Sequence, residues 1–352
     1  METTYLLPPA AYYDQEWFER EQRLLFGNTW HLVASNHELA EPGDFATVDA
    51  GPDPIVVTRG LDGELRAFHN LCTHRGIELV GGTGNSRSGL SCPYHAWSFG
   101  LDGELRSVPQ PEQFPDLDLA ACALSAASVG EWGGNVYVHP DPEAAPIEEW
   151  LGGLPDAIGS YRPELLTEIA HFRLDAACNW KYFVENHIDV YHLWYLHSQT
   201  LSDYDHNLFQ WQQLGRNWVS YEPTKGERKR RPHAGTAQIE HLDERDRAGI
   251  GAHKLFPNVC MASEAEFFMT YVAIPTGPES MVLDVRIRAE KGADVAAITA
   301  GVEGFVQEDI EACEGIQRAV RSSRFRVGPM AVDHERPITI FQTSVSDIVG
   351  LV

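Results

Sequence analysis

The sequence predicts an α+β protein, with a small all-β domain followed by a larger α+β domain. Three observations predict it. Short β-prone runs separated by Gly, Asp and Pro turns fill residues 30–140. The acidic, Pro-rich stretch PDPEAAPIEEW (140–150) marks a boundary. Beyond it, helix-like segments and strand-like runs are mixed.

Taking the elements in order, DQEWFEREQRLLF (14–26) reads as an amphipathic helix, with Phe18, Leu24, Leu25 and Phe26 as its apolar positions. It belongs to an N-terminal segment, 1–38, expected to pack on the second domain. Residues 39–150 form the β domain, through the runs FATVDA, PIVVTRG, LDGELRAFHN, GLSCPYHAWSFG, LDGELRSV and NVYVHP. Asp62-Gly63 and Asp102-Gly103 are hairpin signals inside a repeated LDGELR string. The repeat predicts two similar hairpins rather than a duplicated domain. Residues 151–352 form the second domain. There 180–197 reads as helical, NWVSYEP, EFFMTYVAIP and MVLDVRIRA as strands, and a final helix runs from an Asp294 N-cap to Arg321. The basic stretch KGERKRRPH (225–233) reads as a solvated loop.

Composition narrows the function. The chain has 352 residues and a formal net charge of −24. Such a surface repels nucleic acid and anionic membrane, so neither is expected as a partner. No apolar run has the length of a membrane span, and residues 1–9 lack the pattern of a signal peptide. Six scattered cysteines fit a reducing compartment better than a disulfide framework, and the expected location is cytoplasmic.

Two motifs carry chemistry. Cys72-Thr-His74 is followed after 17 residues by Cys92-Pro-Tyr-His95. Two thiolates and two imidazoles can hold one zinc ion, or a [2Fe–2S] cluster with both cysteines on one iron and both histidines on the other. Each half runs Cys-then-His, unlike a zinc finger that groups its cysteines and its histidines. The second motif lies in NWKYFVENHIDVYHLWYLH (179–197), which contains Asp189, His192 and His197. Asp189 and His192 share a face of a helix and can hydrogen-bond. His192 and His197 lie about 140° apart on a regular helix, so both can bind one metal only if the helix ends or widens between them. A break is therefore predicted near Trp194–Leu196. Two histidines and a carboxylate make the facial triad of Fe(II) sites that activate O2. Asp189 is better placed to orient His192 than to bind. VQEDIEACEGIQ (306–317) offers Glu308, Asp309, Glu311 and Glu314 as third-ligand candidates.

CTHRG (72–76) and CPYHAW (92–97) resemble the two metal loops of Rieske domains, including Arg75-Gly76 and Trp97, with Ala96 where that family usually has glycine. NWK-x3-EN-x2-D-x-YH-x4-H and ED-x3-CE-x2-Q are similar to catalytic domains of Rieske non-haem iron oxygenases, closest to the single-subunit phthalate, choline and carnitine monooxygenase branch. The resemblance implies a helix-grip (START-like) catalytic domain with an antiparallel sheet. It implies a Rieske [2Fe–2S] cluster on Cys72, Cys92, His74 and His95, and mononuclear iron on His192, His197 and Asp309. It makes Asp189 the bridge reached by His95 of a neighbouring subunit in a homotrimer. It further implies O2 as co-substrate and NAD(P)H electrons through a separate flavin/iron–sulfur reductase or ferredoxin. Hydroxylation or demethylation of a small aromatic or N-methylated substrate is expected, with cis-dihydroxylation as the alternative. A zinc-stabilised binding or hydrolytic protein and a pure electron carrier are the rivals from other classes. His187 and His206 read as surface or core histidines rather than ligands, and Cys122, Cys178, Cys260 and Cys313 read as buried packing residues. So do most of Trp180, Tyr182, Phe183, Tyr191, Trp194 and Tyr195, with one or two expected at the substrate cavity.

Overall fold

The computed structural model describes residues 6–226 and 236–351. All of the basic stretch except Lys225 and Gly226 lies outside the described residues. The chain divides into two compact units. Residues 21–150 form one, and residues up to 20 together with those from 151 onward form the other.

Helix α1 (Gln15–Leu24) starts beside Asp14, whose carboxylate accepts from the Trp17 N–H at 3.0 Å and satisfies an otherwise orphaned donor. Then come β1 (His31–Ser35), β2 (Asp44–Ala50), β3 (Asp53–Arg59), β4 (Leu65–His69), β5 (Thr83–Asn85), β6 (Leu90–Ser91), β7 (Ser98–Phe99), β8 (Leu105–Ser107), β9 (Ala126–Trp132) and β10 (Asn135–His139). They make a seven-stranded sheet, β1-β10-β9-β4-β3-β2-β5, and a three-stranded sheet, β6-β7-β8. Cys72 and Cys92 are buried beside Val56, Phe68, Leu79, Leu90, Trp97, Phe99, Leu105 and Leu124. β1 pairs with β10, His31 opposite Val138. Residues 21–38 therefore belong to this unit, where the sequence reading had grouped them with the N-terminal segment. A pairing across a hundred residues leaves no trace in local pattern.

The two LDGELR strings form matching turns, between β3 and β4 and between β7 and β8. Gly60 N–H donates to Glu64 O and Gly100 N–H to Glu104 O, each at 2.8 Å. Gly63 and Gly103 adopt φ of 87° and 81°, a region open to glycine at little cost. Arg66 returns to Asp62 and Arg106 to Asp102.

The boundary stretch carries α2 (Ile147–Leu151), and α3 (Leu154–Ile158) follows. The second unit is built on β11 (Thr167–Ala176), β12 (Gln210–Leu214), β13 (Asn217–Pro223), β14 (Gly249–Leu255), β15 (Val259–Ser263), β16 (Phe267–Gly277) and β17 (Ser280–Ala289). All pairings are antiparallel, in the order β11-β17-β16-β15-β14-β13-β12. The β13–β14 ladder keeps one register but has a gap. Pairs between β13 and β14 run Trp218–Lys254 and Val219–His253, then resume at Glu222–Ile250. In the gap, the Ser220 hydroxyl donates to Ala252 O at 3.1 Å.

After α3, the further helices of this unit are α4 (Trp180–Ile188), the short α5 (Glu244–Arg247), α6 (Val295–Val320) and α7 (Arg336–Val349). Asp294 caps α6 as the sequence predicts, accepting from Ala297 N–H at 3.1 Å. α7 lies beyond the last helix the sequence predicts, although Ile338, Phe341, Val345 and Val349 carry helical spacing. Trp180 of α4 meets Phe341 of α7 edge-on. The N-terminal segment is tied to the same helices. Tyr12 donates to Glu185 at 2.5 Å, and Gln342 donates to both.

The helical stretch predicted over 180–197 breaks earlier than expected. α4 ends at Ile188, Asp189 turns extended, and a 3-10 turn covers Tyr191–Trp194. The break lies at Asp189–Val190, not at Trp194–Leu196, and it is a helix end rather than a widened turn. The Asp189 carboxylate takes the Tyr191 N–H at 2.6 Å, which competes with continuing the helix. Among the described residues no helix is long and apolar enough to cross a membrane.

Candidate metal centres and active site

In the unit spanning 21–150, two loops of the same geometry meet. Gly76 N–H donates to Cys72 O at 2.8 Å and Ala96 N–H to Cys92 O at 3.0 Å. Cys72 N–H and Cys92 N–H close the loops on Ile77 O and Trp97 O, both at 2.8 Å. Gly76 and Ala96 occupy the left-handed region, with φ of 73° and 56°. That conformation is the physical reason a glycine is usual where this chain carries Ala96. The His74 and His95 rings stand 4.7 Å apart, and Trp97 stacks flat on His74 at 4.7 Å.

The donor set fits a [2Fe–2S] cluster. Nδ1 of His74 and Nδ1 of His95 are both buried without a hydrogen-bond partner, which is costly unless something else binds them. Burial, with His95 and Arg75 nearby, pushes the His74 pKa down and keeps its imidazole in the neutral, ligating form. Burial opposes ionisation of Cys92, but backbone N–H donors from His95 and Tyr94 outweigh it and lower the pKa. The cysteines are buried while both histidines reach the surface.

In the other unit, His192, His197 and Asp309 bring one ligand atom each to within 4.8 Å of one another. The 3-10 turn presents His192, the following loop His197, and α6 Asp309. Each has a second partner that fixes it. Nδ1 of His192 lies 3.3 Å from Asp189 Oδ2, a close contact without hydrogen-bond alignment. Nδ1 of His197 meets Glu308 at 2.7 Å, and Thr200 donates to the same Glu308 oxygen at 2.7 Å. Asn186 of α4 donates to Asp309 Oδ1 at 2.7 Å. Nε2 of His197 and of His192 lie 2.9 and 3.6 Å from that oxygen. Burial opposes charge on His197 and on Asp309. Their mutual hydrogen bond, with Glu308 beside His197, outweighs it, so the His197 pKa rises and the Asp309 pKa falls. Two imidazoles and a carboxylate on one side of a cavity fit a mononuclear Fe(II) site with open positions.

Of the sequence-proposed third ligands, only Asp309 joins the histidines. Glu308 braces His197, Glu311 pairs with Gln307, and Glu314 accepts from Ala177 N–H. The triad opens on a cavity lined by Tyr204, Phe209, Trp218, Glu222, Tyr271 and Phe305, among others. None of the aromatic residues singled out in 180–195 lines it; Tyr182 lines a separate groove beside Asp189. His187 and His206, surface or core histidines rather than ligands by sequence, also line it. Tyr271 hydrogen-bonds Nδ1 of His187 at 2.5 Å, and His206 meets Glu222 at 2.5 Å. Burial pushes the His187 pKa down to about 4. Cys178, Cys260 and Cys313 are buried and Cys122 is half-buried.

Two metal-bearing units of this kind define the class of protein. Residues 29–123 match the Rieske [2Fe-2S] domain family, and residues 163–351 match the ring hydroxylating alpha subunit (catalytic domain) family. The chain belongs to the ring-hydroxylating alpha-subunit family. It is 36% identical over 190 residues to the carnitine monooxygenase oxygenase subunit of Escherichia coli (strain K12), a match covering 53% of this chain and 51% of that protein. The chain thus spans about half the length of such curated relatives. It is 28% identical to the chloroplastic choline monooxygenase of Beta vulgaris, over 96% of this chain and 75% of that one. Among solved structures, a quaternary ammonium Rieske monooxygenase superposes with a TM-score of 0.85 at 25% identity, covering 97% of this chain and 94% of the other. A naphthalene 1,2-dioxygenase shares the fold, with a TM-score of 0.77 at 22% identity over 98% and 93% of the two chains.

Proposed function

We propose that the chain is an oxygenase component that hydroxylates or oxidatively demethylates a small N-methylated cation, using O2 and NAD(P)H electrons from a separate reductase. The observation that carries this reading is the braced triad His192, His197 and Asp309 facing an aromatic cavity. Residues 39–150 carry the cluster on Cys72, His74, Cys92 and His95, and residues 151–352 carry the iron. The cluster would store electrons one at a time, and the open iron would bind and activate O2.

The chain's own residues do the rest. Asp189 divides its carboxylate between Tyr191 N–H and the His192 ring, so it fixes that ring while facing a groove. His95 of the partner subunit reaches Asp189 in a homotrimer. Tyr94, 57% exposed beside His95, and Tyr191, 50% exposed beside His192, offer apolar surface for such a docking. In the cavity, the aromatic side chains of Trp218, Tyr204 and Phe209 and the Glu222 carboxylate favour a cation. The carnitine, choline and glycine betaine relatives are named for substrates of that class.

The test is O2 uptake by the iron-loaded protein with a surrogate reductase and NADH. A panel of trimethylammonium compounds is expected to stimulate uptake, with oxygenated product in step. Equal uptake with and without every member of the panel would overturn the substrate reading. An iron content of about two rather than about three per chain would overturn the mononuclear site.

A further inference from the structure

The two histidines of the cluster loops are packed unequally. Trp97 is buried and lies flat on His74, and Phe114 stands edge-on to both rings. Thr73 beside it donates to Cys122 O at 2.8 Å, so groups of the same unit close the His74 side. His95 has a different neighbour. The Tyr94 ring lies on it with centres 3.8 Å apart and planes at 31°, closer than Trp97 lies to His74, and Tyr94 is largely exposed. Tyr94 therefore touches both ligands of its loop in separable ways. Its backbone N–H donates to the Cys92 sulfur, and its ring packs on His95. A change of side chain removes the second contact and leaves the first. Nδ1 of His95 is buried without a hydrogen-bond partner among the described residues, so it is the nitrogen turned toward the cluster. Nε2 is then the edge a docking subunit meets. Rotation of the ring about its anchored nitrogen would swing Nε2 sideways, and a group lying against the ring face resists that rotation.

We propose that Tyr94 is a positioning residue whose ring holds the His95 imidazole at the angle used for electron transfer to the neighbouring subunit. This rests on the reading of His95 as the docking ligand given above. In that step the reduced cluster loses one electron and the mononuclear iron of the neighbouring subunit gains it. The Tyr94 ring is then more than apolar docking surface, and a side chain of similar bulk without a ring does not replace it.

The test follows one electron in the holoenzyme. Photoreduction of the cluster is set against ferric mononuclear iron, and the return of the oxidised-cluster absorbance is timed in wild type, Tyr94→Leu and Tyr94→Phe. Tyr94→Leu keeps apolar bulk and loses the ring, and is expected to slow the transfer about ten- to hundredfold. Tyr94→Phe keeps the ring and is expected to be much faster than Tyr94→Leu. A second readout is independent of turnover. In pulsed EPR of the reduced cluster, the coupling of one of the two histidine nitrogens is expected to broaden in Tyr94→Leu and to stay sharp in Tyr94→Phe. Equal rates, or unchanged couplings, in wild type and Tyr94→Leu overturn the inference while the proposed function stands. So does a Tyr94→Phe as slow as Tyr94→Leu, because the hydroxyl and not the ring would then matter. Loss of the cluster from Tyr94→Leu also overturns it, since the ring would then be structural. If the wild-type cluster passes no electron to the iron, the oxygenase reading fails together with the inference.

Discussion

The two metal sites are assembled in opposite ways. The proposed cluster ligands sit on two loops with the same backbone, each closed by the same pair of hydrogen bonds, and each loop offers one cysteine and one histidine. The proposed iron ligands come from a 3-10 turn, a loop and a helix more than a hundred residues further on. The first site is local geometry used twice. The second exists only once α4 and α6 have packed, and its ligands are held by Asp189, Glu308 and Asn186 rather than by the backbone. A site made of turns should tolerate damage elsewhere. A site made of packed elements should depend on its braces.

The largest expected effect tests that independence. Asp309→Ala should remove the mononuclear iron and all detectable turnover while leaving the cluster's visible and EPR spectra unchanged. Loss of the cluster in the same variant would break the contrast. Asp189→Asn comes next: both metals stay bound, and turnover falls by about 100-fold or more, read as O2 uptake against iron content. Normal turnover would remove Asp189 from any bridging role. Glu308→Gln should weaken iron binding by about 10- to 100-fold, because His197 loses the carboxylate that orients it. Chelator competition followed by iron analysis measures it, and unaltered affinity would show that the brace is idle. The smallest effect concerns the cluster loops. Ala96→Gly should stabilise that unit by about 1 kcal/mol, since a side chain at φ 56° is strained and glycine is not. Gly76→Ala, at φ 73°, should cost about as much; a denaturant titration reads both.

The same contrast explains what was legible in the sequence. Cys72, His74, Cys92 and His95 stand out in the sequence because turn geometry is written in adjacent residues. The spacing of His192 and His197 demanded a break, but the break was placed five residues late. Asp189, a residue prone to bond its own neighbouring backbone, was the available signal. Glu308 was weighed as a ligand and is instead a brace; only packing distinguishes it from Asp309, one position away. The cavity wall was not legible at all. Trp218, Glu222 and Tyr271 come from strands whose register is set by long-range pairing, and no local pattern marks which side faces iron. In the second unit β11, β12, β14 and β15 escape the sequence pattern; QWQQL and GIGAHKL, for instance, are too polar or too glycine-rich to stand out.

One consequence follows from the seam between β13 and β14. Where backbone pairing lapses, from Ser220 to Tyr221 against Gly251 and Ala252, a serine hydroxyl replaces part of the ladder. The sheet should breathe there first, and the amides facing the gap should exchange with deuterium faster than those of β15 or β16. Ser220, Gly251 and Ala252 also line the cavity, so its most yielding wall is a stretch of strand rather than a loop.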